Sequence, residues 1–213
     1  MMNIILIAPP AAGKGTQAEL LSKKFDIPHI SIGDLVRASI NDEKTKDLLR
    51  EGNLLDDNLI CCILEERIQK SDCSNGYILD GFPRNLNQAK MYEKLIAKLN
   101  FKLGIIIAIE VSKDEALRRV LGRLTCNTCG AVYNETEPTM LPNENGTCKK
   151  CGSILERRSD DNIESFMKRF ETYYEETKPV IDYYNESHKV HFIKSINIET
   201  TFKQIDNIIG NEV

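Results

Sequence analysis

Cys126, Cys129, Cys148 and Cys151 form two C-x-x-C pairs separated by residues 130–147. No other feature constrains the chain as strongly, because each pair can set two thiolates on one tetrahedral ion, and a four-sulfur shell leaves no open position for chemistry. The ion expected is structural zinc. Between the pairs the apolar residues are Ala131, Val132, Tyr133, Met140 and Leu141, too few to sustain an independent core. Ligation, worth about 10 kcal/mol or more in small zinc modules, would supply what burial cannot. Two disulfides, or a zinc ribbon for nucleic acid, are the alternative readings of the same spacing.

The 213 residues suffice for one large domain with inserted lobes. With 41% hydrophobic and 28% charged residues the composition is that of a globular protein, and no apolar run approaches the ~20 residues of a membrane span. Met1 to Ile7 has neither a basic region before it nor a small-residue cleavage site after it, so no secretory signal is expected and a cytosolic compartment is. Cys61, Cys62 and Cys73 then read as reduced thiols. A formal charge of -4 argues against a general nucleic-acid binder.

Continuous apolar runs at Ile4 to Ile7 and Ile105 to Val111 predict strands covered on both faces, with shorter strands at Tyr77 to Leu79, Val190 to Ile193 and His29 to Ile32. Helical stripes alternate with them. Ala18, Leu21 and Phe25 share a face, as do Ile60, Ile63, Leu64 and Ile68, and Tyr92, Leu95, Ile96 and Leu99. Ser112 and Glu115 form a capping-box pattern opening a helix to about Leu121, and Phe166, Phe170 and Tyr173 mark another stripe. The alternation predicts an α/β, doubly wound parallel sheet of five strands. It is broken at about Ser31 to Ile60 and again at the cysteine segment. The predicted organisation is therefore a core of 1–30, 61–122 and 162–213, a helical insertion of 31–60, and a cysteine lobe of 123–161.

The first strand runs into Ala8-Pro9-Pro10-Ala11-Ala12-Gly13-Lys14-Gly15-Thr16 and then a helix. Backbone N–H groups at such a helix start can cradle phosphate oxygens; Lys14 can bridge outer phosphates, and the Thr16 hydroxyl can sit near magnesium. The strict G-x-x-x-x-G-K-[ST] pattern is not met: Ala8 stands at its first glycine, and Gly15 separates lysine from threonine. A GKGT ending occurs in nucleoside monophosphate kinases, whose loop GxPGxGKGT also places glycine where Ala11 stands. A Cβ in left-handed backbone costs about 1–2 kcal/mol, so weaker phosphate binding is expected. An Ala/Gly-rich turn without a ligand is the plain alternative.

Asp80-Gly81-Phe82-Pro83-Arg84 follows a strand, at the carboxyl end where open parallel sheets bind ligands. Together with Gly33-Asp34-Leu35-Val36-Arg37, Gln88, the GKGT loop and the cysteine lobe, it makes the chain from about Asn3 to Ile209 resemble an adenylate kinase of the long, zinc-containing lid type. The resemblance implies a P-loop kinase fold and transfer of the terminal phosphoryl of magnesium ATP to AMP, giving two ADP. It implies catalytic roles for Lys14, Arg84, Arg123, Arg158 and Arg169. ATP contacts would come from Ala11, Ala12, Gly13, Lys14, Gly15, Thr16, Arg119, Arg123, Val132 and Tyr133. AMP contacts would come from Ile32, Arg37, Asn53, Leu54, Leu55, Gly81, Arg84, Gln88, Arg158 and Arg169, with Gln88 reading the base. Asp80 would order magnesium-bound water, and the four cysteines would hold zinc.

The chemistry asks for the same residue types. Phosphoryl transfer needs two mutually repelling polyphosphates to be aligned and the moving charge neutralised. A guanidinium at ~4 Å from a phosphate is worth about 4 kcal/mol at an effective dielectric near 20, before desolvation. Arg119 and Arg123 are expected four apart on one helix face entering the lobe, with Arg158 and Arg169 flanking the helix that leaves it. Each arginine also has the plain reading of a solvated surface charge. Asp160 and Asp161 are expected to cap the next helix, pair with arginines, or both, and Gln88 alternatively starts a Lys90 to Leu99 helix.

Three positions depart from the family pattern. Ile32 stands where threonine is common and cannot donate a hydrogen bond worth about 0.5–1.5 kcal/mol, so looser selection among monophosphates is expected. Leu124 replaces a common second arginine. Lys194 to Glu199 matches too poorly to assign an adenine contact. The competing functions are a UMP/CMP-type kinase and a catalytically weak nucleotide sensor. No nucleic-acid or membrane partner is expected, and a monomer is.

Overall fold

The computed structural model describes residues 1–39, 56–187 and 190–212. The five expected strands form: β1 (Met2–Ile7), β2 (His29–Ser31), β3 (Gly76–Asp80), β4 (Ile105–Glu110) and β8 (Val190–Lys194). They make one parallel sheet in the order β2-β3-β1-β4-β8. Sequence order and spatial order differ because each parallel pairing needs a crossover, and helices supply it.

Alternation along β1 decides which helices cover which face. Ile5 and Ile7 pack in one cluster with Leu64, Tyr92, Ile96, Val180 and Tyr184, from the helices Asp57–Ile68, Leu86–Lys98 and Lys178–Ser187. Ile4 and Leu6 point the other way, against Ala18 and Leu21 of the Lys14–Phe25 helix and Ile205 and Ile209 of the Ile198–Glu212 helix. With both faces buried the strands read as continuous apolar runs.

The Leu86–Lys98 helix begins four residues before the expected Lys90, because Asn85 caps it by accepting the Gln88 N–H at 2.8 Å. The Ser112 cap forms as expected, its hydroxyl accepting the Glu115 N–H. Among the described residues no helix is long and apolar enough to cross a membrane.

The cysteine lobe contains β5 (Arg123–Cys126), flanked by β6 (Val132–Asn134) and β7 (Leu155–Glu156) in an antiparallel sheet. Its core consists of Cys126, Ala131, Tyr133, Cys148 and Leu155 with Leu124 against them. Leu141 is exposed, which leaves even less apolar material than the sequence count suggests. Polar contacts tie the lobe's base to the Lys113–Leu121 helix: Arg118 pairs with Glu137 and donates to Thr136 O at 2.8 Å, and Asn134 Nδ2 donates to Arg119 O at 2.8 Å.

Candidate active site

The loops at the carboxyl ends of β1, β3 and β8 open into a cleft of about 450 Å³, roofed by the cysteine lobe. Its floor is the phosphate loop. Gly13 caps the Lys14–Phe25 helix at φ 84°, a conformation glycine enters without penalty, and no acidic residue occupies the first turn. The positive end of the helix dipole favours an anion, and the Asp80 carboxylate already approaches it, 3.5 Å from where a Cβ on Gly15 would stand. Ala11, as its position implies, has φ 59°. It packs against the cluster of Ala116, Val120, Phe166 and Phe170.

Lys14 Nζ lies 2.5 Å from Asp80 Oδ1, while His29 Nε2 meets Asp80 Oδ2 at 2.9 Å. Burial would raise the Asp80 carboxyl, but the Lys14 charge and the hydrogen bonds from His29 and Lys14 outweigh it and hold the group well below the usual carboxylate range. Gly81 follows, at φ 79°. A Cβ there would stand 3.1 Å from Lys14 Nζ and 3.2 Å from Arg84 Nη2, so the two cations converge on the same small space. Arg84 Nε is itself held by Gly81 O at 2.9 Å.

Arg119, Arg123, Arg158 and Arg169 line the same cleft. Each is held by the chain. Arg119 donates to Glu115 Oε1 at 2.7 Å, to the Ser195 hydroxyl at 2.6 Å and to Ile196 O at 3.1 Å. Arg123 forks onto Asp161, whose side chain is fully buried, with Nε at 2.8 Å from Oδ2. Arg169 pairs with Asp160 at 2.7 Å, and Arg158 donates to Thr125 Oγ1 at 3.3 Å. Of the options for Asp160 and Asp161, pairing is the one realised; Asn162 caps the Ile163–Thr172 helix. Carboxylates thus hold several guanidiniums in place at the cleft, and an arriving polyphosphate can exchange for them.

Several expectations need correction. Arg119 and Arg123 do not share a helix: the helix stops at Leu121 with Gly122 at its end, and Arg123 opens β5. Arg169 lies inside the exit helix rather than beside it. Tyr133 does not line the cleft; it is 7% exposed in the lobe core, its hydroxyl 3.4 Å from Cys148 Sγ and accepting the Lys149 N–H at 2.8 Å. Its neighbour Val132 does face the cleft, as β-alternation requires. The Ile32 side chain packs in the core, 4% exposed, while Ser31, Gly33 and Asp34 line the cleft. Gln88 is fully buried and lies behind Arg84. Asn53, Leu54 and Leu55 lie outside the described residues, as does the side chain of Arg37.

Sequence reasoning missed His29, Glu115 as an arginine partner, and Ser195. His29 had a faint signal, since alternation in β2 puts it with Ser31 on the face opposite buried Ile30. Ser195 had none, because its contact spans distant parts of the chain.

In the lobe the four sulfurs lie within 4.8 Å of one another, Cys126 to Cys151 at 3.4 Å and Cys129 to Cys148 at 3.5 Å. Sulfurs bound tetrahedrally at ~2.3 Å from zinc stand about 3.8 Å apart, so the arrangement is compatible with one structural zinc ion. Neither pair is a disulfide. Burial would raise the Cys148 thiol, but hydrogen bonds from the Tyr133 hydroxyl and the backbone N–H groups of Cys151 and Lys150 draw it down, while hydrogen bonds to the neighbouring sulfurs push Cys129 up, so the cluster shares its protons unevenly until a metal displaces them.

A parallel sheet with a glycine-lysine loop at its carboxyl edge, and cations gathered above it, defines a nucleotide-binding phosphotransferase fold. Comparison with known proteins narrows this. The sequence model of the adenylate kinase family matches residues 6–189. An adenylate kinase of Rhizobium etli is 44% identical over 195 residues, covering 89% of each chain. That of Syntrophobacter fumaroxidans is 41% identical over 216 residues, covering 98% of this chain and 100% of the relative, and that of Thermosipho africanus is 38% identical over 214 residues, covering 98% and 99%. The chain belongs to the adenylate kinase family, and is a nucleoside monophosphate kinase with a cysteine cluster in its lid.

Proposed function

We propose that the protein catalyses reversible, magnesium-dependent phosphoryl transfer between ATP and AMP, yielding two ADP. The observation that carries this reading is the convergence of Lys14, Arg84, Arg119, Arg123, Arg158 and Arg169 on one cleft at the end of the phosphate loop. A protein that only bound one nucleotide would have no use for cations gathered from the phosphate loop, from the loop after β3 and from the cysteine lobe and the helices flanking it.

In this reading Gly13, Gly15 and Thr16 hold the donor's outer phosphates at the helix start, and Arg119 and Val132 flank its nucleoside. Arg84, with Arg37, holds the acceptor's phosphate. An oxygen of AMP attacks the terminal phosphorus of ATP in line, the bond to the bridging oxygen breaks, and ADP departs with that electron pair. Lys14, Arg123, Arg158 and Arg169 neutralise the charge gathering on the transferred group. Asp80 and Thr16 offer the hard oxygen donors that suit magnesium, which when bound draws charge from the phosphates. The lobe of 123–161 and the insertion of 31–60 would close over both substrates, because water left in the cleft would take the phosphoryl group. Zinc in the lobe would stiffen it without entering the reaction.

A coupled assay with purified protein tests the reading. ADP must form only when ATP, magnesium and AMP are all present, and Arg84→Met must remove most of the rate. Nucleotide binding without turnover would refute it and select the sensor.

A further inference from the structure

The two cysteine pairs of the lobe make the same turn. Gly130 N–H donates to Cys126 O at 2.9 Å and Gly152 N–H to Cys148 O at 2.8 Å, and the two glycines stand at φ 71° and 75°. Each turn closes with a bond from its first cysteine, Cys126 N–H to Ala131 O and Cys148 N–H to Ser153 O, both at 2.8 Å. Tyr133 joins one turn to the other. It follows the first turn on β6, opposite Leu124 of β5, and lies in the lobe core. Its hydroxyl reaches the second turn at two points, accepting the Lys149 N–H at 2.8 Å and meeting Cys148 Sγ at 3.4 Å.

A cysteine that ligates a metal does so as the thiolate, which has no proton to give. The hydroxyl is then the donor to Cys148. A backbone N–H only donates, so the Lys149 contact occupies the tyrosine oxygen and leaves its O–H for the sulfur. Such a bond acts twice. A hydrogen bond to an anionic acceptor is about twice as strong as a neutral one, so it favours the form of the sulfur that ligates. It also keeps the second turn facing the first before any ion arrives, which lowers the ordering cost of ligation. The lobe has little else to do this with, because Cys126 and Cys148 are themselves part of its small core.

We propose that Tyr133 is a positioning residue for the metal: its hydroxyl donates to the Cys148 sulfur, holds the two cysteine turns together and raises the affinity of the lobe for zinc. Val132, one place earlier on the strand, lines the nucleotide cleft, so the two residues divide β6 between cleft wall and metal cluster. The proposal rests on the reading of the four cysteines as a zinc site.

Zinc-loaded protein titrated with a chelator gives the affinity, and a sample exchanged into cobalt gives a sulfur-to-metal charge-transfer band that reports on the thiolates. Tyr133→Phe removes the hydroxyl and keeps the ring. Its zinc dissociation constant is expected to rise by about 10- to 100-fold. Its cobalt band should move to longer wavelength, because a sulfur that loses a hydrogen bond gives up an electron more readily. Leu155→Ala is the control: it thins the same core by more than one hydroxyl and removes no hydrogen bond to sulfur, so weaker binding there should leave the band in place. Loss of all metal from Tyr133→Phe, with Leu155→Ala still loaded, is the limiting case of the expected result. A parent protein that holds no zinc would remove the metal reading itself. Zinc binding in Tyr133→Phe within about threefold of the parent, a band unmoved, or equal effects in both variants would overturn the role of Tyr133.

Discussion

Replacing Asp161 by Asn removes one charge and few atoms from a buried site, and so isolates the contribution of the Arg123 fork. The Asp161 side chain is fully covered and that of Arg123 is 16% exposed. Breaking a buried pair by deleting a partner costs about 3–5 kcal/mol. The amide keeps one oxygen for the guanidinium, so a neutral hydrogen bond replaces a charged one and the expected loss is about 2–3 kcal/mol. For a chain of this size each kcal/mol moves Tm by about 2–4 °C, which gives a fall of about 4–12 °C by calorimetry. Burial also predicts the salt response. At 1 M salt the Debye length is about 3 Å, but screening cannot enter a covered contact, and the fall should persist. The lobe's Arg157–Glu135 pair supplies the control, its side chains 47% and 49% exposed: Glu135→Gln should shift Tm by no more than about 2 °C, an effect that salt erases. A double-mutant cycle with Arg123→Met should return a coupling of about 2 kcal/mol. Additivity, or a fall in Asp161→Asn that salt abolishes, would refute a buried, formed fork.

Ala11→Gly relieves about 1–2 kcal/mol of left-handed strain and gives back about 0.4–1 kcal/mol in unfolded-chain entropy. Tm should therefore rise by up to about 6 °C and KM for ATP should fall; a lower Tm would mean that the methyl's packing outweighs the strain. The Asp80 carboxyl is depressed in the folded chain against about 3.9 unfolded, so its contribution is present at neutral pH and drains away as pH falls below about 4. Lys14→Met removes the charge that depresses it, and should move the acid-unfolding midpoint to higher pH; an unmoved midpoint would contradict the assigned cause. Stripping metal with a chelator should lower Tm and expose lobe residues 123–161 to protease, with zinc restoring both; loss of activity at unchanged Tm and protection would exclude a structural ion.

Much of the core was legible because its rules are local. Ile4 to Ile7 and Ile105 to Val111 read as doubly covered strands, the second ending at exposed Glu110, and helical stripes between them imply crossovers and hence a parallel sheet. The cysteine spacing likewise marked a four-sulfur cluster, since two short loops fix where thiolates can meet. The site was legible as a set of residue types but not as a set of contacts. Arg123 read as helical because the 3.6-residue period runs through it, whereas Gly122 ends the helix and passes Arg123 to a strand. Tyr133 and Val132 were indistinguishable in a lobe with so little apolar sequence, and only the packing of the small sheet turned the tyrosine inward.

By itself the chain's order of residues determined the sheet, the phosphate loop and the sulfur cluster, because backbone sterics, side-chain periodicity and ligand spacing act over a few positions. The tertiary structure alone decided that Asp161 holds Arg123, that His29 and Lys14 share Asp80 and that Ser195 holds Arg119. These pairings join side chains from separate elements, and their strength depends on burial and relative orientation. Neither exists until the layers have packed.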